Sequence, residues 1–140
     1  MTLTASQAAL VRDTFHELQD DLEVKSLYFY DQLFRLDPTI RSLFREDVAD
    51  QGMRFMSTLS VIVENLETPG ALTGRYADLG SGHRAIGVEA RHFVTMEDAL
   101  MATMAHYLGA DFTAQAEAAW RAAFREIAAR IIASGDIPSS

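Results

Sequence analysis

Apolar residues recur along this chain at the three- and four-residue spacing of helix faces, and no run alternates as a strand would. Thr4 and Gln7 form a capping-box pair ahead of "AALVRDTFHELQ", which predicts a first helix. A second apolar-rich helix is predicted over about 23–36 and runs into "LDPTIRSLF". Pro38 suits a first turn, so a short new helix begins there. The polar run "REDVAD" reads as a connection. Beyond it, Gln51, Phe55, Leu59 and Ile62 share one face of a long helix reaching about residue 66. "ETPG" at 67–70 predicts a turn, and a shorter helix follows to about His83. A Gly-rich corner then leads to a helix from Arg91 to Tyr107, and "LGADF" breaks the chain again. The last helix is predicted from Thr113 to Ser134, with Trp120, Phe124, Ile127 and Ile131 as its inner stripe. "GDIPSS" reads as a frayed tail from residue 135. With no repeat or linker, residues 1–140 are expected to form one all-α domain of six to eight helices.

Length and composition agree: 140 residues can bury a substantial core, and 49% hydrophobic with 23% charged residues is ordinary for a globular chain. A net charge of −8 argues against nucleic acid as a partner. With no cysteine, disulfides, zinc–thiolate and iron–sulfur sites are excluded. No signal peptide or membrane-length apolar run is read, so no membrane insertion and a cytoplasmic location are expected.

Chemistry then rests on few residues. Of four histidines, His16 and His106 sit on polar or mixed helix faces and read as surface or packing groups. His83 stands among Gly80, Gly82 and Gly87, with Leu79 one turn before it and Val88 and Phe93 after it. It can be a solvated loop histidine. Equally, it can aim one ring nitrogen into an apolar pocket while the other donates to a carbonyl one turn back, as a single metal ligand does. Gln51 heads an otherwise apolar face, and Tyr30 sits among Leu27, Leu33 and Phe34. Each has a plain reading, as a first-turn amide in water and as a tyrosine at the core edge. The three matter together only if they converge on one cavity.

They converge under one resemblance. "LYFYDQLFRLDPTIRSLF" resembles the second and third helices of bacterial single-domain haemoglobins and of flavohaemoglobin globin domains. "DQGMRFMSTLSVIVENL" is similar to their distal helix, "LGSGHRAIGV" to the end of their proximal helix, and "AAWRAAF" to the start of their last. The ordered set covers residues 5–134. It implies a globin fold enclosing a haem pocket, haem b as cofactor and His83 as the iron ligand. It also implies that Tyr30 and Gln51 hydrogen-bond an iron-bound gas. Phe44 would pack on the haem face, Phe55 over the ligand site, and Val88, Phe93 and Leu79 around the haem edge, with Arg54 reaching a propionate. On that resemblance the glycines serve to turn the chain sharply after the proximal helix. Phe93 and Gly135 stand where flavohaemoglobins carry the tyrosine and glutamate that polarise the proximal histidine, so that relay is expected to be absent. The chain stops at Ser140 without a flavin or nicotinamide domain, so turnover would need a separate reductase.

The function expected is reversible binding of dioxygen and other diatomic gases, for delivery, storage or sensing. The alternative is a nitric oxide dioxygenase fed by an external reductase. A di-iron carboxylate bundle has the Asp13-x-x-His16 and Glu89-x-x-His92 spacing, but that fold wants long unbroken helices. Glu89 and His92 read better as a helix N-terminus. A globin fold that has lost haem is disfavoured by His83, Phe44, Tyr30 and Gln51 occurring together.

Overall fold

A computed structural model describes residues 3–18, 20–44 and 48–138. Among these, six α-helices follow one another: α1 (Ala5–Glu17), α2 (Leu22–Leu36), α3 (Val48–Glu64), α4 (Thr73–Ala85), α5 (Ala90–Leu108) and α6 (Ala114–Gly135). Short 3-10 turns occupy Pro38–Leu43, Pro69–Leu72 and Gly109–Asp111. The all-α expectation holds. The chain breaks where the sequence signalled it, at Pro38, at "ETPG" and at "LGADF". Residues 45–47 of "REDVAD" lie outside the described residues, and α3 is already helical at Val48.

Local chemistry starts and stops these helices. The Thr4 hydroxyl accepts from the Gln7 amide at 3.1 Å, and the Gln7 side chain accepts from the Thr4 amide at 3.0 Å, closing the capping box of α1. Asp37, extended as a residue before proline must be, ends α2. Its carboxylate accepts from the Thr39 amide at 3.0 Å and so starts the next turn. His92 behaves as its spacing suggested: its Nδ1 accepts from the Glu89 amide at 2.9 Å and caps α5. Thr113 accepts from the Ala116 amide at 3.1 Å to start α6.

The buried faces follow the expected stripes. Val11 and Phe15 of α1 pack with Trp120 of α6, whose indole N–H donates to the Thr14 hydroxyl at 2.6 Å. α2 lies against α3 and α5, and α4 lies chiefly against α6. Glu97 of α5 is buried, with its carboxylate accepting from Arg121 at 2.7 Å and Arg125 at 3.1 Å across the α5–α6 seam. That ion cluster was not foreseen.

Two glycine pairings set how closely helices approach. A Cβ on Gly52 of α3 would fall on the Ser26 hydroxyl and within 2.8 Å of the Ser26 Cβ on α2. A Cβ on Gly80 of α4 would fall on the Gly135 amide nitrogen and within 2.6 Å of its Cα.

Two expectations need correction. The Gly-rich corner is not one unit: α4 continues through Ala85, so Gly80 and Gly82 are helical. Only Gly87, at φ 92°, takes the left-handed conformation that turns the chain. The end of the chain also departs from a frayed tail over its described part. Asp136 is left-handed at φ 50°, and the Ile137 amide donates back to the Ile132 carbonyl at 3.0 Å in a Schellman closure. Ile137 is buried, and the Pro138 carbonyl accepts from the Ala90 amide at 2.9 Å. Residues 139–140 lie outside the described residues.

Candidate functional site

α3 and α4 face each other across a cavity of about 520 Å3 lined by Leu43, Phe44, Gln51, Arg54, Asp78, Leu79, Gly82, His83 and Ile86. Behind it lies a narrow apolar cavity of about 60 Å3. Its walls include Phe55, Thr58, Leu59, Ile62, Phe93, Met96, Phe124 and Ile127. Leu79 and His83 line both.

Helix geometry places the histidine. His83 lies one turn after Leu79, and its Nδ1–H donates to the Leu79 carbonyl at 2.6 Å. A carbonyl can only accept, so Nδ1 holds the proton and Nε2 carries the lone pair. Burial holds the ring's pKa below its usual value, partly offset by the Leu79 carbonyl. The imidazole is therefore neutral near pH 7. The Phe93 ring stands 5.5 Å from the imidazole, tilted by 42°.

The opposite wall is α3, with Gln51 and Arg54, and α2 packs behind it. Tyr30 is buried, and its hydroxyl is hydrogen-bonded to the Gln51 side chain. Burial pushes this phenol up to about 12, against the opposing pull of Gln51 and of the Arg54 charge. It stays protonated and keeps a hydrogen to donate. Its ring meets Phe44 at 5.3 Å and Phe55 at 6.2 Å, both edge-on, while Phe55 stacks on Phe29 at 4.5 Å. The close α2–α3 crossing at Ser26 and Gly52 brings Tyr30 and Gln51 together.

Of the residues singled out from sequence, Phe44, Gln51, Arg54, Leu79 and His83 line the larger cavity, and Phe55 and Phe93 line the deeper one. Tyr30 and Val88 are buried and line neither: Tyr30 reaches the larger cavity only through its hydrogen bond to Gln51, and the Val88 amide donates to the His83 carbonyl at 3.0 Å. Thr58, Met96, Phe124 and Ile127 were not assigned to the site. Their signal was only the apolar stripes of α3, α5 and α6, which any core shares. Among the described residues, no group of three or more His, Asp or Glu side chains could hold a metal ion. His16 pairs instead with Glu64 at 2.6 Å, and His92 is engaged as a cap.

A flat, largely apolar group carrying its own metal fits this donor set. There is one neutral imidazole with a free Nε2, a cavity within the usual size range for cofactors with Leu43, Phe44, Leu79 and Ile86 in its wall, and a protonated phenol bonded to Gln51 of that wall.

Comparison with known proteins agrees with the geometry. The globin family profile matches residues 27–131, and the chain belongs to the globin family. The flavohemoprotein of Bordetella pertussis is 25% identical over 133 residues, covering 93% of this chain. The chain spans only 33% of that relative's length. The anaerobic nitrite reductase AHB2 of Arabidopsis thaliana is 28% identical, covering 91% of this chain and 90% of its own. A solved structure of an engineered carbene transferase, RmaNOD of Rhodothermus marinus, described as a nitric oxide dioxygenase, superposes with a TM-score of 0.88. It is 26% identical and covers 96% of this chain and 94% of its own. No helix among the described residues is long and apolar enough to cross a membrane.

Proposed function

We propose that this globin holds haem b through His83 and reversibly binds a diatomic gas, dioxygen first, on the side of the pocket that carries Tyr30 and Gln51. The observation that carries this reading is the committed tautomer of His83, whose Nδ1–H donates to the Leu79 carbonyl at 2.6 Å and leaves Nε2 as a neutral ligand. Haem iron held by one imidazole supplies an open coordination position for such gases. The protein's share is selectivity and retention. The Tyr30 hydroxyl and Gln51 amide donate to a gas that gains negative charge on binding. Each such bond is worth on the order of 1 kcal/mol, more when the acceptor is charged and buried. Phe55, Phe44, Leu79 and Phe93 exclude water, and Val88 backs the His83 turn. Arg54, at the cavity wall, suits a haem carboxylate. With no cysteine in the chain, a thioether link to the haem is excluded.

The test is the absorption spectrum of haem-reconstituted protein, reduced and then exposed to carbon monoxide. A sharp, shifted Soret band that is lost in His83→Gly is the expected result. Protein that takes up no haem overturns the reading.

Likeness to a structure described as a nitric oxide dioxygenase favours a second reading, in which nitric oxide, dioxygen and one electron yield nitrate. The electron would come from a separate reductase. Nitrate formed in step with nitric oxide loss, only when a flavin reductase and NADH are supplied, would support it. Loss at the same rate without them leaves gas binding alone.

A further inference from the structure

Gly80 and Gly135 meet backbone to backbone where α4 crosses the end of α6. Beyond the Gly135 overlaps already described, a Cβ on Gly80 would come within 2.8 Å of the Ile131 carbonyl oxygen, and a Cβ on Gly135 would fall on the Gly80 carbonyl. All of these obstacles are main-chain atoms, which no rotamer change can move aside. In α4 Tyr76 and Gly80 are fully buried and Leu79 and His83 half-buried, all close to this crossing, so the backbone contact sets the depth at which this face of the helix meets the body. Gly80 also lies within one turn of His83, and the carbonyl that holds the His83 ring belongs to its neighbour Leu79.

We infer that the Gly80–Gly135 contact is the positioning device of the proximal side, setting how far the His83 imidazole reaches into the pocket. This rests on the proposed haem ligation by His83. Adding one methyl group at either glycine pushes α4 off α6 by on the order of 1 Å before ordinary van der Waals spacing is restored. His83 and Leu79 move together with the helix, so the Nδ1–H hydrogen bond survives while the imidazole is displaced. Any side chain at position 135 would need its Cβ where the Gly80 carbonyl stands.

The experiment compares wild type, Gly80→Ala and Gly135→Ala with Gly74→Ala, which lies in the first turn of α4 with open space for a Cβ. Haem uptake by wild type is read first, because its failure would sink the functional reading itself. The iron–histidine stretching band is then measured by resonance Raman in the reduced proteins, alongside haem retention and Tm. Both contact variants are expected to shift that band downward and to weaken haem binding by roughly tenfold or more, while Gly74→Ala does neither. In a His83→Gly background loaded with free imidazole, Gly135→Ala should no longer move the iron–imidazole band, since that ligand is not carried by α4. An unchanged band in haem-loaded Gly80→Ala and Gly135→Ala overturns the inference, whatever their Tm. If neither variant folds, wild type decides: a single narrow band from cold to warm supports backbone-fixed placement, and a band that splits or broadens on warming refutes it.

Discussion

At the scale of single residues, the site works by keeping two groups in one protonation state. Tyr30 is the sharper case, because its phenol stays protonated to about 12 and donates at any physiological pH. Tyr30→Phe keeps the ring contacts with Phe44 and Phe55 and removes only the donor. Dissociation of a bound gas is expected to quicken by roughly tenfold, the equivalent of about 1.4 kcal/mol, which flash photolysis or stopped flow would read. An unaltered rate would show that Gln51 acts alone. His92 carries a pH dependence. Burial, then the Arg91 charge, holds its pKa below the usual 6.5, against a smaller opposing pull from Glu89 and Asp37. The unfolded chain therefore takes up this proton first as pH falls. Its contribution to stability is intact above about 6.5 and is lost on acidification below that value. His92→Gln keeps a capping-box acceptor without the titration. The Tm of the haem-free variant should vary less between pH 7 and pH 5 than that of wild type.

At the scale of helices, the contacts that place the site are those where side chains are missing. Gly52→Ala sets a methyl group against the Ser26 side chain and separates α2 from α3. A loss of about 1–3 kcal/mol is expected in urea unfolding, together with a Tyr30–Gln51 pair that no longer meets. This is also where sequence reading reached its limit. Helix starts were legible because Thr4, Gln7, Pro38, Glu89 and His92 act within one turn of chain. The stripes of α1 and α6 were legible from their period. The purpose of Gly80 was not: a glycine between Leu79 and His83 reads as a corner, and its partner Gly135 is remote in sequence. The same holds for Glu97, whose neighbours give no sign that Arg121 and Arg125 will cover it. His83, Tyr30 and Gln51 were each ambiguous alone, and only the ordered likeness to globins joined them. The tail misled because "GDIPSS" has loop composition, whereas Ile137 supplies the apolar contact that closes a helix end.

At the scale of the molecule, stability is unevenly spread. α5 and α6 bury long stripes and share the Glu97 ion cluster, while α4 fully buries two residues, Tyr76 and Gly80. In haem-free protein, the amides of Thr73–Ala85 are expected to exchange with solvent faster than those of α5 and α6, and to slow most on haem binding. Equal protection across all helices would contradict this. The closing of the chain near its end has a practical side. Because the Pro138 carbonyl accepts from the Ala90 amide, the chain at Pro138 is moored at the first turn of α5, close to Val88 and Phe93. A tag or domain fused there has a mechanical grip on the wall next to His83, while one fused ahead of Thr4 pulls only on the start of α1.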